Sequence, residues 1–303
     1  MELAIHDIVK SFGDKSVLSG INLSAKSGKA VGLLGRNGAG KTTTIRIIMG
    51  VFPPDSGTVT LDGKAFNRKS VKIGYLPEER GLYPKKKISE QLQYLGELRG
   101  MGKREAKQAY TALLERLEMG AYIEKKLETL SKGNQQKIQL AATLMTDPDI
   151  VIFDEPFSGL DPVNAMLLED LVKEQINKGK IVLFSSHQMN YVEQFCDEIA
   201  ILNEGNIVLS GNIRQIKRGY DRKDVVVTGE SPERIASYVS EHLGGLVHSV
   251  RTEEGAARVS LNDAADKAKL FSALSEAGLD LDGLMVYEPS LNDIFVEYTG
   301  ETE

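Results

Sequence analysis

The eight residues Gly35 to Thr42, GRNGAGKT, have the spacing G-x-x-x-x-G-K-T, and each residue type in them suits the holding of phosphate. Glycines let backbone N–H groups turn inward around anionic oxygens. A lysine amine offsets charge on the β- and γ-phosphates, and a threonine hydroxyl can ligate Mg2+. Gly35, Arg36, Asn37, Gly38, Ala39 and Gly40 make the loop, Lys41 and Thr42 carry its charge and its metal-binding hydroxyl, and Thr43 continues it. Taken alone, the motif denotes a nucleoside triphosphatase or a kinase.

A pair of acids narrows this. In DIVIFDEP, Asp154 closes an apolar run and Glu155 follows it. A carboxylate at such a strand end can hold Mg2+ through water, and the acid beside it can face an attacking water as a general base. His187 closes a second apolar run, IVLFSSH, where an imidazole can contact a γ-phosphate and register its loss. Further along, LSKGNQQK sets Ser131 beside Gly133 at what reads as a helix start, an arrangement that also suits phosphate. One nucleotide site has no evident use for two such elements.

These residues require strands that end at the motifs. Strand-like runs occupy roughly 2–9, 21–25, 30–35 and 58–61, with a hairpin turn at Asp62-Gly63. From about Ile88 to Thr146 the apolar spacing becomes helical, which reads as an inserted helical subdomain. Buried strands return at DIVIFDE and KIVLFSSH, with the helix NAMLLEDLVKEQINKG between them, so a parallel α/β core is expected. After KRGYDRKD the order reads strand 224–228, helix 232–242, strand 246–250, strand 256–261, helix 264–277 and strand 283–287. That β-α-β-β-α-β order implies a small ferredoxin-like α+β domain. It carries no nucleophile, metal-ligand spacing or glycine-rich loop, and His242 and His248 within it read as surface or packing residues.

Composition bounds the partners. Across 303 residues, 37 Lys+Arg against 43 Asp+Glu give a formal net charge of −6. Such a chain has no electrostatic reason to coat nucleic acid or to bind anionic lipid stably. No apolar run approaches the roughly 18 residues of a membrane span. The opening MELAIHDIVK lacks the layout of a secretory signal, so a cytoplasmic location is expected. The single cysteine, Cys196, fits a reducing compartment and reads as packing.

Over about 1–218 the chain resembles the ATP-binding subunit of an ATP-binding-cassette (ABC) transporter. The resemblance rests on GRNGAGKT as Walker A loop, IVIFDE as Walker B, LSKGN as signature, SGLD at 158–161, ending in Asp161, as D-loop, and His187 as switch histidine. Phe12, in VKSFG, stands where that family stacks an aromatic ring on adenine. The resemblance implies an α/β P-loop NTPase cassette over 1–218, with its helical subdomain at about 86–147. Residues 219–303, with their ending EPSLNDIFVEYTG, resemble the accessory domain of bacterial drug- and sodium-efflux cassettes. ATP and Mg2+ are the implied cofactors, and ATP hydrolysis by Glu155 and His187 the implied activity. The implied partners are a separate integral-membrane permease, docking near EERGLYPKKK, and a second copy of the chain or a paralogous cassette. In such head-to-tail pairs Ser131 and Gly133 serve the partner's nucleotide. The implied role is export, performed at the inner face of the membrane.

Three positions depart from the family pattern: Lys132 replaces the usual Gly, Asn134 the usual Gln, and Glu78 the Gln whose side chain reaches Mg2+. A carboxylate at 78 can bind Mg2+ but adds negative charge near ATP. Repair or translation cassettes are the alternative. Repair cassettes usually carry long coiled-coil insertions and translation cassettes two tandem copies, whereas this chain has one copy and a short insert. A kinase would have no use for the signature or D-loop.

Overall fold

Three apolar runs lack any polar alternation, and they become the centre of the molecule's larger sheet. The computed structural model describes residues 1–300 except Arg80, Ser158, Gly159, Asp221 and Glu254, and the side chains of Pro162 and Val163 are also outside the described set. Ser158 and Gly159 of the SGLD motif therefore lie outside the described residues. By contacts the chain forms two compact units: Met1–Ile213, joined by the described residues from Phe295 onward, and Arg214–Ile294.

In the first unit the strands and helices run β1 (Glu2–Phe12), β2 (Lys15–Lys26), β3 (Lys29–Gly35), α1 (Lys41–Met49), β4 (Ser56–Leu61), β5 (Lys64–Ala65) and β6 (Ile73–Leu76). Three helices follow, α2 (Ile88–Leu98), α3 (Lys103–Arg116) and α4 (Lys132–Leu144). Then come β7 (Ile150–Asp154), α5 (Pro162–Asn177), β8 (Ile181–Ser185), α6 (Met189–Phe195), β9 (Glu198–Asn203), β10 (Asn206–Asn212) and α7 (Ile213–Gly219), which crosses into the second unit.

Among the described residues a six-stranded sheet has the order β10-β9-β3-β8-β7-β6, parallel except for the edge strand β10. Every residue of β7 and β8 is buried, as befits strands covered on both faces. An antiparallel sheet, β2-β1-β4-β5, forms the other β layer. One core cluster joins residues of both sheets, including Ile5, Ile21, Val31, Ile152 and Leu183, with Ile45 and Ile48 of α1.

Several boundaries differ from the sequence reading. β1 continues to Phe12 and β2 begins at Lys15, because β-bulges shift their register near Ile8 and Lys10 and mask the alternation. β6, β9 and β10 add strands beyond the sequence expectation; β6 is four residues long, too short for a period to show. Asp62 and Gly63 both take positive φ (51° and 72°) and join β4 to β5 as a hairpin.

The second unit continues with β11 (Asp224–Gly229), α8 (Pro232–His242), β12 (Val247–Glu253), β13 (Ala256–Leu261), α9 (Lys267–Glu276), β14 (Leu281–Val286) and the start of α10 (Leu291–Thr299), whose residues from Phe295 onward belong to the first unit. Its sheet order, β12-β13-β11-β14, is antiparallel throughout, the split β-α-β-β-α-β arrangement of ferredoxin-like domains. Val225, Val227, Ile235, Val239, Val259 and Leu270 form its core. The helix expected at 264–277 opens with a 3₁₀ turn, Ala264–Asp266, capped by Asp263.

Candidate active site

Parallel strands deliver their C-terminal ends to one edge of a sheet, where ligands of open α/β folds bind. Here β3, β8 and β7 are neighbours, with Leu33 opposite Ser185 and Ser185 opposite Asp154. The glycine-rich segment after β3, His187 after β8 and the acid pair at the end of β7 therefore emerge side by side.

At the end of β3 the chain turns through residues 36–40 into α1. Gly40 caps that helix with φ 114°. A Cβ there would lie 2.6 Å from Cδ2 of Leu18 and 3.0 Å from Cδ2 of Leu202, so both backbone angle and space require glycine. Buried Lys41 folds over the loop, its Nζ donating to the carbonyls of Gly35 at 2.5 Å and Arg36 at 3.3 Å. The ammonium is thus held where loop N–H groups and the positive end of α1 favour an anion.

Asp154 is 3% exposed, and both its oxygens are engaged: Oδ1 accepts from Ser185 Oγ at 2.5 Å and Oδ2 from Tyr75 OH at 3.0 Å. Burial, then the adjacent Asp154 charge, push the Tyr75 phenol well above its ordinary pKa. Glu155, 6% exposed, has φ 49°, unusual for a residue with a Cβ. Its N–H donates to the Ser185 carbonyl at 3.0 Å. Its Oε2 lies 2.9 Å from His187 Nδ1 and accepts from the His187 main-chain N–H at 3.3 Å.

A cleft of about 350 Å³ joins the two sides. It is lined by Phe12, Lys15, Val17, Asn37, Gly38, Gly40, Lys41, Thr42, Thr43, Glu78, Asp154 and Glu155. Phe12 stands half-exposed at its margin, edge-on to Phe52 with ring centroids 5.3 Å apart. Lys10 lies within cation–π range of both rings and pairs with Asp55 at 2.7 Å.

The lining fits ATP with Mg2+: an aromatic face for the base, a glycine loop and a lysine for phosphate, and Thr42, Asp154 and Glu78 as hard oxygen donors. Among the described residues no three His, Cys, Asp or Glu side chains converge as a metal centre. Phosphate oxygens and water would complete the Mg2+ shell.

Ser131, Gly133 and Asp161 do not line this cleft; Gly133, at the start of α4, lies against Asp161 and Asn164 elsewhere. Ser131 caps α4, its Oγ accepting from Asn134 N–H at 3.3 Å. Asp161 accepts from the main-chain N–H of Asn164 at 3.0 Å and from its side-chain amide at 2.5 Å. A Cβ on Gly133 would come within 2.9 Å of that amide. The signature and the end of the SGLD motif thus share one patch.

Beside α2 and α4 lies a groove of about 440 Å³, whose lining includes Tyr75, Pro77, Tyr83, Tyr94, Gln139 and Thr143. Tyr83 and Tyr94 are strongly exposed. It borders the EERGLYPKKK segment, in which Arg80 is outside the described residues. Among the described residues no helix is long and apolar enough to cross a membrane.

Sequence reasoning missed Tyr75, Ser185 and Asn164. Ser185 was visible within LFSSH, whereas nothing local marks Tyr75 in IGYLPEER.

Residues 18–158 match the family model for ABC transporter, and residues 211–299 match that for the ATP-binding protein DrrA1-3-like, C-terminal domain. The chain is 42% identical, over 98% of both chains, to the uncharacterized ABC transporter ATP-binding protein YhaQ of Bacillus subtilis (strain 168). It is 33% identical, over 99% of both, to the linearmycin resistance ATP-binding protein LnrL of the same organism. A solved structure described as the ATP binding subunit of an ABC transporter superposes with a TM-score of 0.67 at 29% identity, covering 72% of this chain and 92% of that one.

Proposed function

Because this chain belongs to the family of ABC transporter ATP-binding subunits, we propose that it binds Mg-ATP in the cleft at the ends of β3 and β7 and works as one of a pair of cassettes beneath a separate permease. As a member of that family it binds and hydrolyses ATP to power transport. The repair, translation and kinase readings are set aside, since these relatives are named for transport or resistance. The resistance relative and the DrrA-like match over 211–299 favour efflux; the cargo is chosen by the permease. In this reading residues 1–218 carry the ATP site and 219–303 an accessory domain.

The observation that carries the proposal is the meeting of Lys41 and Thr42 with Asp154 and Glu155 in one cleft. Phe12 offers a ring face to adenine. Loop N–H groups and Lys41 hold the phosphates; the ammonium has three donors, of which the Gly35 and Arg36 carbonyls take two. Thr42, Asp154 and Glu78 would hold Mg2+, which offsets phosphate charge when bound. Glu155 takes the proton of the attacking water, and His187 keeps its carboxylate aimed.

Ser131, Gly133 and Asp161 lie outside the chain's own cleft, which supports a head-to-tail pair in which they reach the other chain's nucleotide. The groove rimmed by Tyr83 and Tyr94 offers an apolar bed for a helix of the permease, which would keep the subunit at the inner membrane face.

Glu155→Gln tests the assignment. The variant keeps its phosphate contacts, binds ATP, loses roughly 10²–10⁴-fold in hydrolysis and accumulates as an ATP-bound pair on gel filtration. Near-normal steady turnover would overturn the role of Glu155.

A further inference from the structure

Asp154 is held from outside its own strand. The register of β6 on β7 sets Tyr75 opposite Ile152, two residues before Asp154, so both side chains project from the same face of adjacent strands. The phenol reaches along β7 to donate to Oδ2 at 3.0 Å, while Ser185 holds Oδ1. A buried carboxylate gripped at both oxygens has one orientation, and such outer partners tune the ligand they hold.

The main chain around Tyr75 is fastened from the opposite direction. Its carbonyl lies 3.2 Å from Thr143 Oγ1, whose one proton is shared with the nearer carbonyl of Gln139 at 2.9 Å. The carbonyls of Pro77 and Glu79, just beyond β6, accept from Gln139 Nε2 at 3.2 Å each. Tyr75, Pro77, Gln139 and Thr143 also line the groove beside α4. One residue therefore touches the cation-binding carboxylate and the wall of the groove.

We propose that Tyr75 is a positioning residue: its hydroxyl orients Asp154 for the divalent cation of the nucleotide. This rests on the reading of the cleft as an Mg-ATP site. Tyr75→Phe keeps the packed ring and deletes one donor, leaving Asp154 Oδ2 without the partner that fixes it. Nucleotide contacts that do not involve the cation stay as they were.

The test uses the full chain and a fluorescent ATP analogue, with binding measured in EDTA and across a Mg2+ series, and with thermal unfolding recorded in EDTA. Tyr75→Phe is expected to bind the analogue normally in EDTA, to unfold within a few degrees of wild type, and to need about 10-fold more Mg2+ at the midpoint of the cation-dependent gain. An unchanged Mg2+ midpoint overturns the proposal. So does a variant that melts early and loses EDTA binding in step, because that marks Tyr75 as a packing residue only. If wild type shows no Mg2+ dependence, the Mg-ATP reading falls and takes this inference with it, whereas a normal wild-type response with an unaltered variant removes the inference alone.

Discussion

Nδ1 of His187 lies 2.9 Å from Oε2 of Glu155, and the main-chain N–H of His187 donates to that same oxygen at 3.3 Å. The carboxylate at the end of β7 is therefore aimed by the residue that ends the neighbouring β8 segment. Glu155 also holds φ 49°, a conformation costing on the order of 1 kcal/mol or more for a residue with a Cβ. It persists because its own N–H is tied to Ser185 and its side chain to His187.

His187→Ala should for this reason slow single-turnover ATP cleavage about 10²-fold, the low end of what a positioned acid–base pair contributes, while ATP affinity changes little. The pair to measure is equilibrium binding and cleavage rate on the same preparation. Equal losses in both would make His187 a nucleotide-binding residue rather than the orienting partner of Glu155.

The separation of Ser131 from its own cleft leads to a complementation experiment. Lys41→Ala damages a chain's own phosphate loop; Ser131→Ala damages what it lends. In a mixed head-to-tail pair both lesions fall in one site, and the other site joins the intact loop of one chain to the intact signature of the other. Verified mixed pairs should cleave more ATP in a single turnover than either mutant alone. Folding and partner exchange are checked first, by unfolding and by differently tagged chains. Mixed pairs no better than the parents would remove the support for a shared site.

In the second unit, Arg258 donates to Asp224 Oδ2 through Nε at 3.0 Å and Nη2 at 2.7 Å, and Ser260 Oγ donates to Oδ1 at 2.6 Å. Burial raises the Asp224 pKa, but Ser260 and Arg258 together outweigh it and hold the carboxyl below its ordinary value. A depressed carboxyl stabilises the fold above the unfolded pKa of about 3.9, and that contribution is lost as pH falls through the folded value. Asp224→Asn should accordingly destabilise by about 1 kcal/mol at pH 7, a modest figure because the pair is partly open to water. The deficit should shrink below about pH 4. Thermal unfolding of wild type and variant across pH checks this; a deficit that persists at about pH 2 would contradict it.

What the chain's own letters determined is local and sequential. GRNGAGKT announces a phosphate loop because Gly40 must take φ 114° against Leu18 and Leu202, and no other residue type satisfies both. Unbroken apolar runs at 150–154 and 181–185 announce strands covered on both faces, and both are buried throughout. The order of elements after residue 223 announces the ferredoxin-like sheet. What only tertiary structure decided is which distant side chains meet. β6 is too short to show a period, yet its pairing with β7 carries Tyr75 to Asp154. The hold of His187 on Glu155 follows from β8 lying beside β7, and the approach of Gly133 to Asp161 and Asn164 from α4 meeting the start of α5. Motifs are legible because backbone angle and burial act within a few residues of the chain. Contacts of this second kind depend on strand order, register and side-chain direction, which are settled when the whole core packs.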